Sequence, residues 1–181
     1  MTRLYLLLLA VAGMCVTAFA QKAPLTDRSL PIPDVPGLLF YIQRDPDVNT
    51  VVYTLNTDES GKIDPKDPIR IFWVKYTEGG VHKPLNLIQK DLAYGLHIKP
   101  SGADQFEVKA VAYPKLDMRL QRGLDSKYHV RVALNNRKCN LKRIFIRIVG
   151  GSHLHPDVAY LEFHGTEVGT GKEVMQRIFP D

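Results

Sequence analysis

Three histidines lie within twelve residues near the C-terminal end of the 181-residue chain, at His153, His155 and His164. In an extended strand the side chains of residues i and i+2 point to the same face, so His153 and His155 could act together. Two such imidazoles and a third one are ligands that suit zinc. The spacing therefore raises the hypothesis of a divalent metal and a metal-dependent hydrolase. The alternative is a solvated loop followed by a polar strand face, which the weakness of such short motifs favours.

Four arginines occupy polar positions of three consecutive alternating segments, residues 116–121, 128–134 and 141–149. If these segments form a meander, the guanidinium groups share one face of a sheet and form a positive patch. Guanidinium groups bind phosphate, sulfate and carboxylate through paired hydrogen bonds. An ordinary solvated sheet face is the alternative that charged runs usually favour. The candidate ligand-binding residues are Arg119, Arg131, Arg143 and Arg147.

A weaker candidate is the loop Asn56–Asp67, which has side-chain oxygens at positions 1, 3, 5, 9 and 12 and a glycine at position 6. This spacing resembles a calcium-binding loop. However, position 1 is an asparagine, position 12 is an aspartate rather than a glutamate, and strand-like segments flank the loop. These departures favour a polar hairpin loop.

The first twenty residues predict export. Arg3 precedes the apolar run Leu4–Leu9, and Ala18 and Ala20 place small residues before Gln21. This is the pattern of a cleaved signal peptide. We predict cleavage after Ala20, a secreted or periplasmic protein, and no transmembrane anchor after cleavage.

The mature chain would keep one of the two cysteines, Cys139, so an intramolecular disulfide is excluded. We expect Cys139 to be a structural thiol that lies in a turn or is partly buried, rather than a nucleophile. The neighbouring Arg137 and Lys138 keep the nucleophile open as an alternative, because positive charges lower the pKa of a thiol.

The composition indicates one ordinary globular domain, with 45% hydrophobic and 24% charged residues and a formal net charge of +5. These values argue against a disordered chain, a collagen-like repeat or a disulfide-rich miniprotein. The mild positive charge bears on solubility and does not by itself indicate nucleic acid. For an exported protein, anionic polysaccharides or lipid head groups are the expected partners and nucleic acid is not.

The elements that must position these residues are mostly strands. Residues 21–36 contain four prolines and predict an extended linker, and residues 37–181 predict a single β-rich domain. Alternation of apolar and polar residues indicates antiparallel strands with one buried and one solvated face. We expect a β-sandwich or open barrel of about eight short strands.

One short helix is expected at Lys83–Tyr94. Leu85, Ile88 and Leu92 would share one face of it, and Gly95 would end it in the left-handed conformation.

Several motifs of the predicted strands resemble a known family. They are residues 39–44 (LFYIQR), 49–53 (NTVVY), 68–73 (PIRIFW), 88–89 (IQ) and 93–95 (AYG). They are similar to motifs of an uncharacterised secreted bacterial family catalogued as a domain of unknown function, number 4833. The resemblance covers roughly residues 38–163. It implies an exported, mostly β domain and no catalytic residue.

Two hypotheses follow. The favoured one is a non-catalytic exported module that binds an anionic envelope or extracellular ligand through the arginines. The other is the metal-dependent hydrolase centred on the histidines. We predict no cofactor apart from the divalent metal that this second hypothesis requires.

Overall fold

The computed structural model describes residues 30–152 and 155–180. These residues form eleven β-strands and one short helical segment, so the predicted mostly β fold with one short helix is confirmed. The strands are β1 Leu38–Asp45, β2 Asp47–Leu55, β3 Ile69–Lys75, β4 Val81–Pro84, β5 Leu96–Gly102, β6 Gln105–Ala110, β7 Met118–Arg122, β8 Tyr128–Leu134, β9 Arg137–Gly151, β10 Pro156–Glu167 and β11 Glu173–Ile178. A 3₁₀ turn at Tyr76–Glu78 precedes β4, and the helical segment consists of α1 at Leu87–Gln89 followed by a π-helical turn at Lys90–Tyr94.

The strands form one curled sheet that resembles half a barrel. Their order is β4-β3-β2-β1-β9-β8-β7-β6-β5, and β10 and β11 extend from the other edge of β9. Neighbours are antiparallel except β1 and β9, which are parallel. The 15-residue β9 pairs with β8 through residues 137–140, with β1 through residues 143–147 and with β10 along almost its whole length. β9 is therefore the strand that joins β1, β8 and β10, together with the strands paired to them, in one sheet.

The core fills the inside of the curl. On β8, Val130, Val132 and Leu134 are buried while Arg131 between them lies on the other face. Each fully buried aliphatic side chain of this kind contributes about 1.5–3 kcal/mol relative to exposure. Tyr53 crosses the core and its hydroxyl donates to the backbone carbonyl of Tyr94 at 2.7 Å, which ties β2 to the helical segment.

The second face of the sheet is covered near β1. Leu30 is buried, and the Gln43 side chain donates to the Pro31 carbonyl at 2.6 Å. Thr50 on the neighbouring strand is fully buried and accepts from the same amide. The chain before β1 therefore packs on this face of β1 and β2.

The helical segment differs from its predicted form. It begins at Leu87, after Asn86, and the Asn86 and Gln89 side chains cap each other's backbone N–H groups at 2.8 and 3.2 Å. This reciprocal arrangement is a capping box. Lys83 and Pro84 belong to β4 instead. The predicted common helix face is wrong, because Leu85 precedes the helix and is buried, whereas Ile88 and Leu92 are 59% and 67% exposed.

Gly95 ends the segment for a different reason from the one predicted. Its φ of −70° is not left-handed. A Cβ at this position would lie 2.0 Å from the Lys90 carbonyl oxygen. The glycine is needed because the backbone of the π-helical turn approaches closely.

Candidate anion-binding site

Two predicted arginines lie directly opposite each other on the outer face. Strands β7, β8 and β9 form the predicted antiparallel meander, in which Arg119 pairs with Arg131 and Arg131 pairs with Asn140. Their neighbours Leu120, Val130 and others point into the core, so these side chains lie on the opposite side of the sheet. Like charges directly opposite each other in a sheet are destabilising. The arrangement therefore concentrates positive charge at a cost in stability.

Arg131 has polar atoms without partners. Its Nε and Nη1 atoms are buried and make no hydrogen bond, and the same holds for Oδ1 of Asn140 on the next strand. Buried polar groups left unpaired cost about 1–3 kcal/mol each. The site thus contains unused donors beside an unused acceptor.

The other two predicted arginines lie on the same face of β9 but are engaged within the protein. Ile144 and Ile146 point towards the core, which places Arg143 and Arg147 on the outer face. Arg147 forms an ion pair with the buried Asp45 of β1. The Arg143 guanidinium lies 5.1 Å from the centre of the Phe145 ring. The term "arginine face" is used below for the surface formed by Arg119, Arg131, Arg143 and Arg147.

A fifth arginine, which alternation in the sequence did not predict, extends this surface. Arg177 of β11 donates from Nε to Glu162 at 3.0 Å, and its guanidinium stacks over Tyr160 at 4.2 Å. Glu162 is only 5% exposed and its other oxygen lies 3.2 Å from Nε2 of His164. Hydrogen bonding to Glu162 raises the pKa of Arg177. The register of β10 and β11 brings these residues together, and β11 was not recognised in the sequence.

The structure does not bring the described candidate histidines together. His153 lies outside the described residues. His155 is exposed in the turn before β10, where its backbone N–H donates to Ser152 Oγ at 3.1 Å. His164 lies nine residues further along β10, a separation of about 30 Å for extended chain. Among residues 30–152 and 155–180 there is no group of three or more side chains that could hold a metal ion.

The loop at residues 56–67 uses its oxygens to hold its own turns. Oδ1 of Asp58 accepts from the backbone N–H groups of Ser60 and Lys62 and from the Ser60 hydroxyl, at 2.7–3.0 Å. These hydrogen bonds lower the pKa of Asp58. Oδ1 of Asp64 accepts from the next turn in the same way. The carboxylates act as turn caps, as the hairpin interpretation predicts.

Cys139 is a core residue. Its side chain is buried and makes no disulfide. Burial raises the pKa of the Cys139 thiol, and this effect exceeds the opposing influence of Arg137. The thiol therefore has the character of a small apolar side chain rather than of a nucleophile.

The fold and the site together define a β-sheet domain with a cationic outer face. The chain belongs to the family described as Domain of unknown function (DUF4833), whose family model matches residues 40–177. Comparisons with curated proteins and with solved structures give no match. Within the part of the chain that the structure describes, no helix has the length and apolar character needed to cross a membrane.

Proposed function

We propose that this protein is an exported, non-catalytic module that binds an anionic ligand of the cell envelope or extracellular space through the arginine face. Two features of one observation carry the proposal. Arg119 lies opposite Arg131 in the sheet, and the buried Nε and Nη1 atoms of Arg131 have no hydrogen-bond partner. Both features cost stability. Binding of an anion would relieve both, because it neutralises the two charges and accepts hydrogen bonds.

The side chains on the arginine face also indicate the chemistry of the ligand. Arg131 is half-buried, so rotation towards solvent brings its nitrogens to a bound carboxylate, sulfate or phosphate. Asn140 Oδ1 needs a donor, which a hydroxyl group supplies. An acidic group with a neighbouring hydroxyl occurs in acidic polysaccharides and in glycerol-containing phospholipid head groups. Export is supported by the signal-peptide pattern of residues 1–20, which lie outside the described residues.

The test compares two probes, polygalacturonate and vesicles containing phosphatidylglycerol, across a range of salt concentrations. Exposed charges are screened over about 10 Å at 0.1 M salt, so binding should weaken as salt increases. The variant R119Q/R131Q should bind about tenfold more weakly, which corresponds to about 1.4 kcal/mol. The probe that binds identifies the source of the acidic group. Absence of salt-dependent binding to both probes would refute the proposal.

The melting temperature distinguishes a binding role of Arg119 and Arg131 from a structural one. R119Q/R131Q removes the like-charge pair and the unpaired nitrogens, so its melting temperature should equal or exceed that of the parent. The control R122Q/R137Q makes the same change of charge at two exposed positions outside the arginine face. Arg122 and Arg137 pair in register with Tyr128 and Leu134, whose side chains lie on the core side of the sheet. This control should bind like the parent. If both double variants lose binding equally, only net charge matters and the site is not specific.

A further inference from the structure

The two ends of the curled sheet leave unpaired strand edges that line one cleft. β4 pairs with β3 only through Phe72–Lys75, so Ile69–Ile71 have no strand partner on that side among the described residues. At the other end of the sheet, β5 pairs with β6, and the described strands leave its second edge unpaired. Ile69–Ile71 and Gly95–His97 line the same open cleft of about 880 Å³, which we call the seam cleft.

Exposed strand edges promote association with other chains, and proteins commonly protect them with lysine and proline. Both ends of this sheet have such protection outside the unpaired segments. β4 ends in Lys83 and Pro84, and β5 continues into Lys99 and Pro100. The segments Ile69–Ile71 and Leu96–Ile98 contain neither residue type. Their backbone groups therefore remain able to pair with an extended chain.

The side chains of the seam cleft alternate in character. Ile71 and Leu96 pack against the core and form an apolar inner side. Arg70 and His97 are exposed beside the two unpaired edges, and Lys90 lies at the helical end. Asp67 and Asp91 also line the cleft, but neither belongs to one of the two strand edges. An inserted strand would meet apolar residues on its inner face and basic residues on its outer face.

We propose that the seam cleft binds an extended peptide segment with alternating apolar and acidic residues, which adds a strand to β3 or β5. In this mode of recognition the backbone hydrogen bonds give affinity, and the alternate side-chain positions give specificity. Peptide chemistry is favoured because the cleft offers two strand edges, which other ligands do not use. This binding is separate from the arginine face, which lies on β7, β8 and β9.

The probe is a fluorescently labelled peptide of about six residues, alternating glutamate and valine, a length that matches a short strand. Fluorescence anisotropy measures its binding to the full chain, and hydrogen–deuterium exchange locates the site. We expect saturable binding and slower exchange in Ile69–Ile71 or Leu96–Ile98. The same peptide with alternate amides methylated should bind about tenfold more weakly, because strand pairing is lost. No binding, equal binding of the methylated peptide, or slowed exchange only elsewhere would overturn the proposal.

Matched variants separate the seam cleft from general electrostatics. R70E reverses a charge beside the cleft and should weaken binding about tenfold. K127E makes the corresponding change in an exposed turn between β7 and β8, and should leave binding unchanged. R119Q/R131Q should also bind the peptide like the parent. Loss of peptide binding in R119Q/R131Q but not in R70E would place the peptide on the arginine face and refute the seam-cleft proposal.

Discussion

Asp45 and Arg147 form an ion pair across β1 and β9, at the end of the parallel pairing that joins the two parts of the sheet. The Asp45 side chain is 5% exposed and that of Arg147 is 21% exposed. Desolvating two charges is costly, so the pair itself adds little to stability. Removing one partner, however, leaves the other charge buried and uncompensated. Arg147 therefore has a structural role that its polar position in an alternating strand does not reveal.

The substitution R147A should lower the free energy of unfolding by about 3 kcal/mol, as expected for breaking a buried ion pair. Urea denaturation of the parent and the variant measures this difference. The control R137A removes an exposed arginine at the start of β9 and should change stability by less than about 0.5 kcal/mol. Equal effects of the two substitutions would contradict the buried role of Asp45.

The substitution G95A should destabilise the protein by about 1–3 kcal/mol, because the added methyl group collides with the Lys90 carbonyl. The control G102A adds the same methyl group where its nearest neighbour would be 3.7 Å away. Thermal melts of the two variants test the prediction. If G95A melts like G102A, then the close approach of the π-helical turn is not required for folding.

Cys139 should resist thiol reagents in the native protein. Burial raises its pKa, so the reactive thiolate forms only at a pH above the ordinary range for a thiol. An Ellman assay should show reaction only after unfolding in denaturant. The unfolded chain loses this proton at lower pH than the folded chain, so this residue's contribution to stability should fall as the pH rises above the ordinary thiol pKa. Rapid native labelling at neutral pH would show that the thiol is accessible.

Metal removal should leave the fold intact. His155 and His164 are separated by the length of β10, so they cannot bind one ion together. We expect the melting temperature to be unchanged by a chelator or by added zinc, and elemental analysis to find less than one metal per chain. A stoichiometric metal whose removal lowers the melting temperature would instead support the hydrolase hypothesis.

Export should produce a mature N-terminus at Gln21, which intact-mass measurement of the exported protein detects. Replacing Ala18 with tyrosine should block processing, because the peptidase needs small side chains there. C15A should be processed like the parent, because the bulky Met14 stands directly before Cys15, where a lipidated cysteine needs a small residue. A mass that retains residues 4–9 would contradict the prediction.

The alternating strands could be predicted from the sequence because one face of each strand is buried in the core. β8 is an example, with Val130 and Val132 on either side of Arg131. β4 could not be found in this way, since all four of its residues are exposed and its pairing with β3 leaves no buried face that would produce an alternating pattern. β11 is half polar and pairs only with β10 among the described strands, so its alternation is weak.

Alternation in the sequence also predicts part of the candidate site, namely the face on which its arginines lie. Alternation assigns Arg119 and Arg131 to one face, and the register of the meander places them opposite each other. Alternation cannot reveal whether something covers that face elsewhere. Phe145 and Glu162 lie on this face and are buried, although the alternating pattern marks Glu162 as solvated. Which acid meets which arginine depends on pairings distant in sequence, such as Asp45 with Arg147.

The parallel contact between β1 and β9 also fixes the order in which the molecule can be completed. It joins residues separated by about 100 positions in the chain, and closing a loop of that length costs about 4 kcal/mol of chain entropy. β1, β2 and β3 can form local hairpins early, but one edge of β1 stays unpaired until β9 has been synthesised. During that interval the N-terminal hairpins have no completed sheet on which to dock. Pairing of β1 with β9 is therefore the late step that joins the separate hairpins into one native sheet.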